Sequence, residues 1–195
     1  DPDGRAIDWL RRAEALGYAP SIYQLAVISL TDASVALDWQ ELTERLQACC
    51  RLRHADALCD AALLSARHAG TQQHQLDFSG LPGFVSAPPG QLLEPRITLH
   101  SAEGFLSAEE CLYIQCQGAP HLKPSISVDP NGQAQRNRIR TSHDFLFSPQ
   151  SETVALKLLQ MRMAAFAGLP LKNAEALVLL RYAPGQEYLP HRDYL

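Results

Sequence analysis

Leu179-Leu180-Arg181-Tyr182-Ala183-Pro184-Gly185-Gln186-Glu187-Tyr188-Leu189-Pro190-His191-Arg192-Asp193 lies at the end of the sequence. An apolar run enters a Pro-Gly turn and emerges at His-x-Asp. In extended backbone, residues i and i+2 point to the same side. The His191 imidazole and the Asp193 carboxylate can therefore converge on one point. A neutral nitrogen beside an anionic oxygen suits a divalent first-row metal, and the pair supplies two of the three groups of a 2-His-1-carboxylate facial triad. A bare His-x-Asp also occurs as a loop histidine hydrogen-bonded to a carboxylate, so the residues in front of it decide the reading.

Those residues read as a strand, Ala176–Tyr182, apolar on both faces except at Arg181, as expected of a strand covered on both sides. Before it, Ser151 is the expected cap of a helix whose apolar face is Val154, Leu158, Met161 and Ala165, ending at Gly168 ahead of Pro170. Residues 121–128 alternate, with Leu122, Ile126 and Val128 on one face and Lys123, Ser125 and Ser127 on the other, which predicts a half-buried strand. Asp129-Pro130-Asn131-Gly132 is a strong turn, and the returning segment carries Arg136, Arg138 and Arg140, then Thr141-Ser142. With Lys123 these arginines face only Asp129 and Asp144, a local charge of +2 in a chain of net charge −4. A solvated hairpin and a loop that closes over a ligand both fit that pattern. Further upstream, Ile97-Thr98-Leu99 reads as a short strand, and Ser107 with Glu110 forms a Ser-x-x-Glu capping box at a helix start.

Three of these segments, Phe105-Leu106-Ser107 with Glu110-Cys111, Arg140-Thr141-Ser142 and the terminal run, resemble in sequence and order the prolyl 4-hydroxylase branch of the 2-oxoglutarate/Fe(II) dioxygenases. The resemblance covers about residues 97–195. It implies a double-stranded β-helix (jelly-roll) core with helices outside. The reaction it implies converts 2-oxoglutarate and O2 to succinate and CO2 while hydroxylating a substrate C–H, typically of proline. The implied cofactors are Fe(II) and 2-oxoglutarate, with ascorbate as a possible addition. His191 and Asp193 are then the metal ligands. The Tyr182 hydroxyl faces 2-oxoglutarate, Tyr188 lies close to the substrate proline, and Arg140 stands near the peptide groove; Tyr188 and Arg140 are the catalytic candidates. Core packing is the other reading of both tyrosines. In that family a distal histidine and a Lys or Arg for the far carboxylate of 2-oxoglutarate lie well downstream of Asp193. His54, His68, His74, His100, His121 and His143 come too early in the chain to serve. The expectation is therefore an N-terminal part of a longer oxygenase, binding iron weakly and turning over poorly by itself.

The first seventy residues read as helical. Ile7, Leu10, Ala13 and Gly17 recur at steps of three and four, and Gly17 is a good stop. A second helix is expected from Pro20, a third from about Ser34 to Arg53, and a fourth from about Ala55 to Ala69. Ala6-Ile7-Asp8-Trp9 recurs as Ala36-Leu37-Asp38-Trp39, a period that suggests stacked helical hairpins. The first copy resembles a Sel1-type repeat, a relative of the tetratricopeptide repeat; a plain helical bundle is the alternative. Residues 71–95, rich in proline and glycine, read as a linker or wrapping segment, with Phe78, Leu81, Phe84 and Val85 packing down.

The expected fold class is α+β: helical hairpins over 1–70, the connecting segment over 71–95, and a partial jelly roll with flanking helices over 96–195. The slightly negative charge does not suggest nucleic-acid binding, and no apolar run approaches the ~20 residues of a membrane span. Five cysteines, Cys49, Cys50, Cys59, Cys111 and Cys116, are odd in number and irregularly spaced, which predicts reduced thiols in a cytoplasmic protein. A peptide or protein substrate is the expected partner of the oxygenase half; a protein proline, a free amino acid and another small molecule all stay open. A protein partner could sit on the helical repeats. The competing function is a non-catalytic helical-repeat scaffold carrying a degenerate oxygenase domain.

Overall fold

Apolar periodicity and local caps account for the helices at the start of the chain. The computed structural model describes residues 5–31, 37–65, 76–128, 134–135 and 140–190. Helix α1 (Arg5–Ala15) turns its Ile7, Leu10 and Ala13 side inward. Helix α2 (Ala19–Ser29) has Pro20 in its first turn and buries Ile22, Tyr23, Leu25, Ala26 and Val27. Helix α3 (Trp39–Arg51) begins later than the sequence reading placed it. The Asp38 carboxylate accepts from the Gln40 and Glu41 amides and so fixes the start at Trp39. Helix α4 (Ala55–Leu64) ends at Ser65, whose extended backbone stops it; the remainder of the expected fourth helix lies outside the described residues. Each of the four packs on the next, α1 on α2, α2 on α3 and α3 on α4. Arg45 of α3 also reaches Glu14 of α1 at 2.8 Å and Glu41 at 2.8 Å. Successive helical hairpins are thus present.

The chain divides into two compact units that interleave along the sequence: residues 1–107 with 152–174, and residues 108–151 with 175–195. In the first unit, α5 (Leu81–Phe84) anchors the connecting segment through the buried Phe78 and Leu81. A two-stranded antiparallel sheet follows, β1 (Gln91–Glu94) with β2 (Leu99–Ser101). The strand expected at Ile97-Thr98-Leu99 is displaced: Pro95–Ile97 form a 3-10 turn capped by the Glu94 carboxylate, and Thr98 is left-handed, so extended backbone resumes only at Leu99.

The last helix of this unit is α7 (Val154–Ala167), which follows α6 (Ala108–Gly118) in the chain. Its cap is Thr153, not Ser151: the Thr153 hydroxyl accepts from the Leu156 amide at 3.2 Å, while Ser151 bonds back to Ser148. Its apolar face is also wider than expected. Val154, Ala155, Leu156, Leu158 and Leu159 are fully buried and Ala165 is exposed, because the first half of the helix is surrounded by α2, α4 and α5. Two hydrogen bonds from Arg162, to the Phe84 carbonyl at 2.7 Å and the Phe105 carbonyl at 3.2 Å, tie the connecting segment to it.

The second unit contains helix α6 (Ala108–Gly118), which starts directly after Ser107, and the strands β3 (Lys123–Pro124), β4 (Ser127–Val128), β5 (Ala134–Gln135), β6 (His143–Leu146) and β7 (Val178–Arg181). β4 and β5 pair antiparallel, flanking the expected turn at 129–132, which lies outside the described residues along with Arg136 and Arg138. β3, β6 and β7 form a three-stranded antiparallel sheet in that order. The expected single strand over 121–128 is broken into two, and its burial departs from the expected faces at 125 and 126. Ser125 is buried and Ile126 exposed, because the Ser125 hydroxyl meets that of Ser142 at 2.8 Å inside the unit. The chain is mixed helix and strand, as an α+β reading requires.

Candidate functional site

The register of the three-stranded sheet sorts its side chains onto two faces. Partners across β6 and β7 are His143 with Arg181, Asp144 with Leu180, Phe145 with Leu179, and Leu146 with Val178. Opposed residues share a face. Phe145 and Leu179 therefore lie with the buried Phe147 on the side covered by α6. Gly118 there sits so close that an added Cβ would stand 2.6 Å from Leu179 and 3.1 Å from Phe147. Asp144, Leu146, Val178 and Leu180 share the other face. It is open: Leu146 is 54% exposed and Leu180 47%. This corrects the expectation that the strand 176–182 is covered on both sides. Its continuous apolar run reflects one packed face and one apolar but uncovered face.

The terminal run departs from simple strand geometry at its Pro-Gly turn. Gly185 has φ of +83°, the Gln186 amide donates to the Ala183 carbonyl at 2.9 Å, and Pro184 fills the position before the glycine, which is the type II arrangement. The Gln186 side chain accepts from the Ala183 amide at 2.8 Å and closes the loop from within. This turn does not reverse the chain. Arg181 lies opposite His143 and Tyr188 opposite Arg140, both antiparallel, so the chain advances from 181 to 188 while its partner moves only from 143 to 140. The turn is an outward loop, after which pairing with the same neighbouring strand resumes. Thr141 secures the resumption: its amide donates to the Glu187 carbonyl at 3.0 Å, and its hydroxyl accepts from the Glu187 amide at 2.9 Å.

The loop brings Arg140 and Tyr188 together. The guanidinium lies over the Tyr188 ring, 5.2 Å from its centre. Its edge is held as well, by a bond from Nε to the Ser142 hydroxyl at 3.2 Å and an ion pair with Asp144 at 3.3 Å. The Ser142 hydroxyl is in turn paired with that of Ser125, and both serines are buried. A guanidinium stacked on a ring and bonded at its edge keeps little rotational freedom. Tyr182 continues the alternation of Val178 and Leu180 at the near foot of the loop and is 41% exposed. Both tyrosines are thus partly exposed rather than core residues. His191 and Asp193 lie outside the described residues, so their placement rests on the sequence. Among the described residues, no three His, Cys, Asp or Glu side chains cluster as a metal site.

Sequence reading named Arg140, Tyr182 and Tyr188 but not Asp144 or Ser125. Asp144 had no usable signal, since an i, i+4 spacing marks a contact on a helix and not along extended backbone. Ser125 had none, since its partner is remote in sequence.

No family model matches the chain. Over 103 residues it is 38% identical to prolyl 4-hydroxylase 1 of Arabidopsis thaliana, covering 51% of this chain and 35% of that protein. It is 35% identical over 102 residues to probable prolyl 4-hydroxylase 3 of the same plant, covering 52% and 34%. With probable prolyl 4-hydroxylase 6 it shares 33% identity over 126 residues, covering 61% and 43%. About half of the chain is thus similar to plant prolyl 4-hydroxylases, and each alignment spans roughly a third to two-fifths of the curated relative.

Proposed function

We propose that this chain is part of a 2-oxoglutarate- and Fe(II)-dependent dioxygenase that hydroxylates proline in a peptide or protein, with residues 96–195 as the N-terminal part of its catalytic domain. The observation that carries this reading is the shared position of Arg140, Tyr182 and Tyr188 around one loop of the sheet, directly ahead of His191-x-Asp193. Similarity to proteins named prolyl 4-hydroxylase supports it. The jelly roll belongs to the proposal: β6 and β7 would be strands of its wall, and the open apolar face its interior. The Sel1-like character of the hairpins α1 to α4 is likewise proposed.

The donor set fits the metal. His191 and Asp193 would hold Fe(II), which with 2-oxoglutarate and O2 supplies the oxidising power for C–H hydroxylation. The protein's own residues then bind and orient. The Tyr182 hydroxyl offers a hydrogen bond to the cosubstrate from the near foot of the loop. Tyr188, with Arg140 stacked on it, forms a flat wall against which a proline ring packs. Arg140 keeps its charge beside a peptide carbonyl, held in place by Asp144 and Ser142. Val178 and Leu180 on the open face would exclude water from the reacting carbon. The cytoplasmic location expected from the odd number and irregular spacing of the five cysteines is likewise part of the proposal. Among the described residues, no helix is long and apolar enough to cross a membrane.

The test is an anaerobic titration of Fe(II) and 2-oxoglutarate that follows the visible charge-transfer band of the bound complex. It is run on the chain, on the protein extended beyond Leu195, and on His191→Ala in each. A band lost in His191→Ala supports the reading. Absence of a band from both wild-type forms defeats it and favours the scaffold.

A further inference from the structure

The outer edge of the three-stranded sheet carries a cavity of about 340 Å³. Ile126, Phe145 and Leu146 give it an apolar wall, and Lys123, His121 and Asp144 its polar groups. Its size is within the ~300–1,000 Å³ range of small-ligand pockets. We propose that this cavity docks an acidic peptide segment, packing an apolar side chain against Ile126, Phe145 and Leu146 and placing a carboxylate at Lys123.

The charges around the cavity favour an acidic occupant. Asp144 is engaged by Arg140 at 3.3 Å. Lys123 is exposed and makes no ion pair with any carboxylate among the described residues. Lys123 is thus the lining cation open to a new carboxylate, while the carboxylate of the lining is already held by Arg140, so an anionic group is favoured at Lys123. The apolar part is equally specific. Ile126 and Leu146 are each 54% exposed beside the cation, and His121 holds the Phe145 ring in place at 5.0 Å between centres. Docking is through side chains and not by strand addition. β3 is two residues long, and Pro124 has no N–H to offer a new strand. The assignment to substrate selection rests on the proposed peptide hydroxylase activity: a prolyl substrate with an acidic and an apolar residue outside the reacting position would be preferred. The binding itself requires neither iron nor 2-oxoglutarate.

The experiment is therefore done without metal or cosubstrate. Fluorescent acetyl-Gly-Leu-Glu-Leu-Gly-amide and its Lys counterpart are titrated by anisotropy against the chain and against Lys123→Gln, Lys123→Glu, Leu146→Ser and, as a remote control, Lys172→Glu. The acidic peptide is expected to bind about fivefold or more tightly than the basic one. Lys123→Gln should lose most of that preference, roughly three- to fivefold, and Lys123→Glu should reverse it. Leu146→Ser should weaken both peptides. Equal affinity for the two peptides, a preference untouched by Lys123→Gln, or an equal change in Lys172→Glu would overturn the proposal. So would displacement by free glutarate at the same concentration as the peptide, which would mark a small-acid site. Failure here with a normal iron titration leaves the dioxygenase reading standing, and the converse result leaves the docking site standing.

Discussion

Replacing Tyr23 by phenylalanine tests how the helical hairpins and α7 are joined within the first unit. The Tyr23 hydroxyl donates to the Asp60 carboxylate at 2.6 Å and accepts from the Val154 amide at 3.2 Å. Tyr23 is 5% exposed and Asp60 0%, so solvent does not replace the lost partner. Val154 is the first residue of α7, and its amide has no acceptor within the helix. One oxygen therefore links α2, α4 and the start of α7. Phenylalanine keeps the ring and its stacking on His54, at 4.6 Å between centres, and removes the hydroxyl that makes both hydrogen bonds. A bond to a buried charged group contributes about 1.5–3 kcal/mol and a neutral one about 1 kcal/mol, so the expected loss is about 2–4 kcal/mol. With a urea dependence of about 2 kcal/mol per molar, the unfolding midpoint should fall by roughly 1–2 M. Tryptophan fluorescence suits this measurement, because Trp9 and Trp39, the two tryptophans of the chain, both belong to the first unit. The double variant with Asp60→Asn should cost less than the two single changes combined, since both remove the same contact. A midpoint shift below about 0.3 M with an unchanged slope would refute the argument.

Gly118→Ala should destabilise the second unit by about 1–3 kcal/mol, seen as a lower melting temperature by circular dichroism, because the new methyl meets Leu179 and Phe147 across the packed face. Burial pushes the Cys49 thiol up to about 12 from an ordinary 9.0, helped by Cys50 and Glu14. A thiol with its folded pKa raised loses its stabilising contribution as pH rises above the unfolded value, so the first unit should weaken between pH 9.0 and about 12 and show no such trend below that window. Urea melts at about pH 8 and about pH 10.5 check the sign. At neutral pH, iodoacetamide should label the exposed Cys59 and Cys116 in the native chain and reach Cys49 and Cys50 only after unfolding, read by mass spectrometry. In the protein extended beyond Leu195, Arg140→Lys should lower kcat/KM for a prolyl peptide by about tenfold, since lysine keeps the charge but loses the fork to Ser142 and the stacking on Tyr188. An unchanged kcat/KM would remove Arg140 from the site.

What the sequence disclosed about the fold followed how local each determinant is. The helix α2 with Pro20 in its first turn, the inward side of α1 and the end of α7 at Gly168 are set within a turn or two of chain, and all were legible. The misplacements share a cause, competition between neighbouring candidates for one role. Ser151 and Thr153 could each cap α7, and the hydroxyl that reaches the Leu156 amide decides. Thr98 has a strand-favouring side chain, but Glu94 captures the Arg96 amide and forces a 3-10 turn ahead of it. The breadth of burial on α7 was invisible because it depends on helices α2, α4 and α5, which are remote in sequence.

The candidate site divides along the same line. Arg140, Tyr182 and Tyr188 could be named because each sits in a recognisable short pattern, yet the pattern does not say that Arg140 stacks on Tyr188. That contact follows from the outward loop at Pro184-Gly185, which shifts the register so that residue 188, and not a residue nearer 184, stands opposite Arg140. A Pro-Gly pair in sequence reads as a chain reversal, and a reversal would have sent Tyr188 away from this edge. The difference comes from Thr141, whose hydroxyl and amide recapture Glu187 and return the chain to its original partner. Thr141 therefore does for the site what Thr153 does for α7: a single hydroxyl chooses between two geometries that the surrounding residues allow equally.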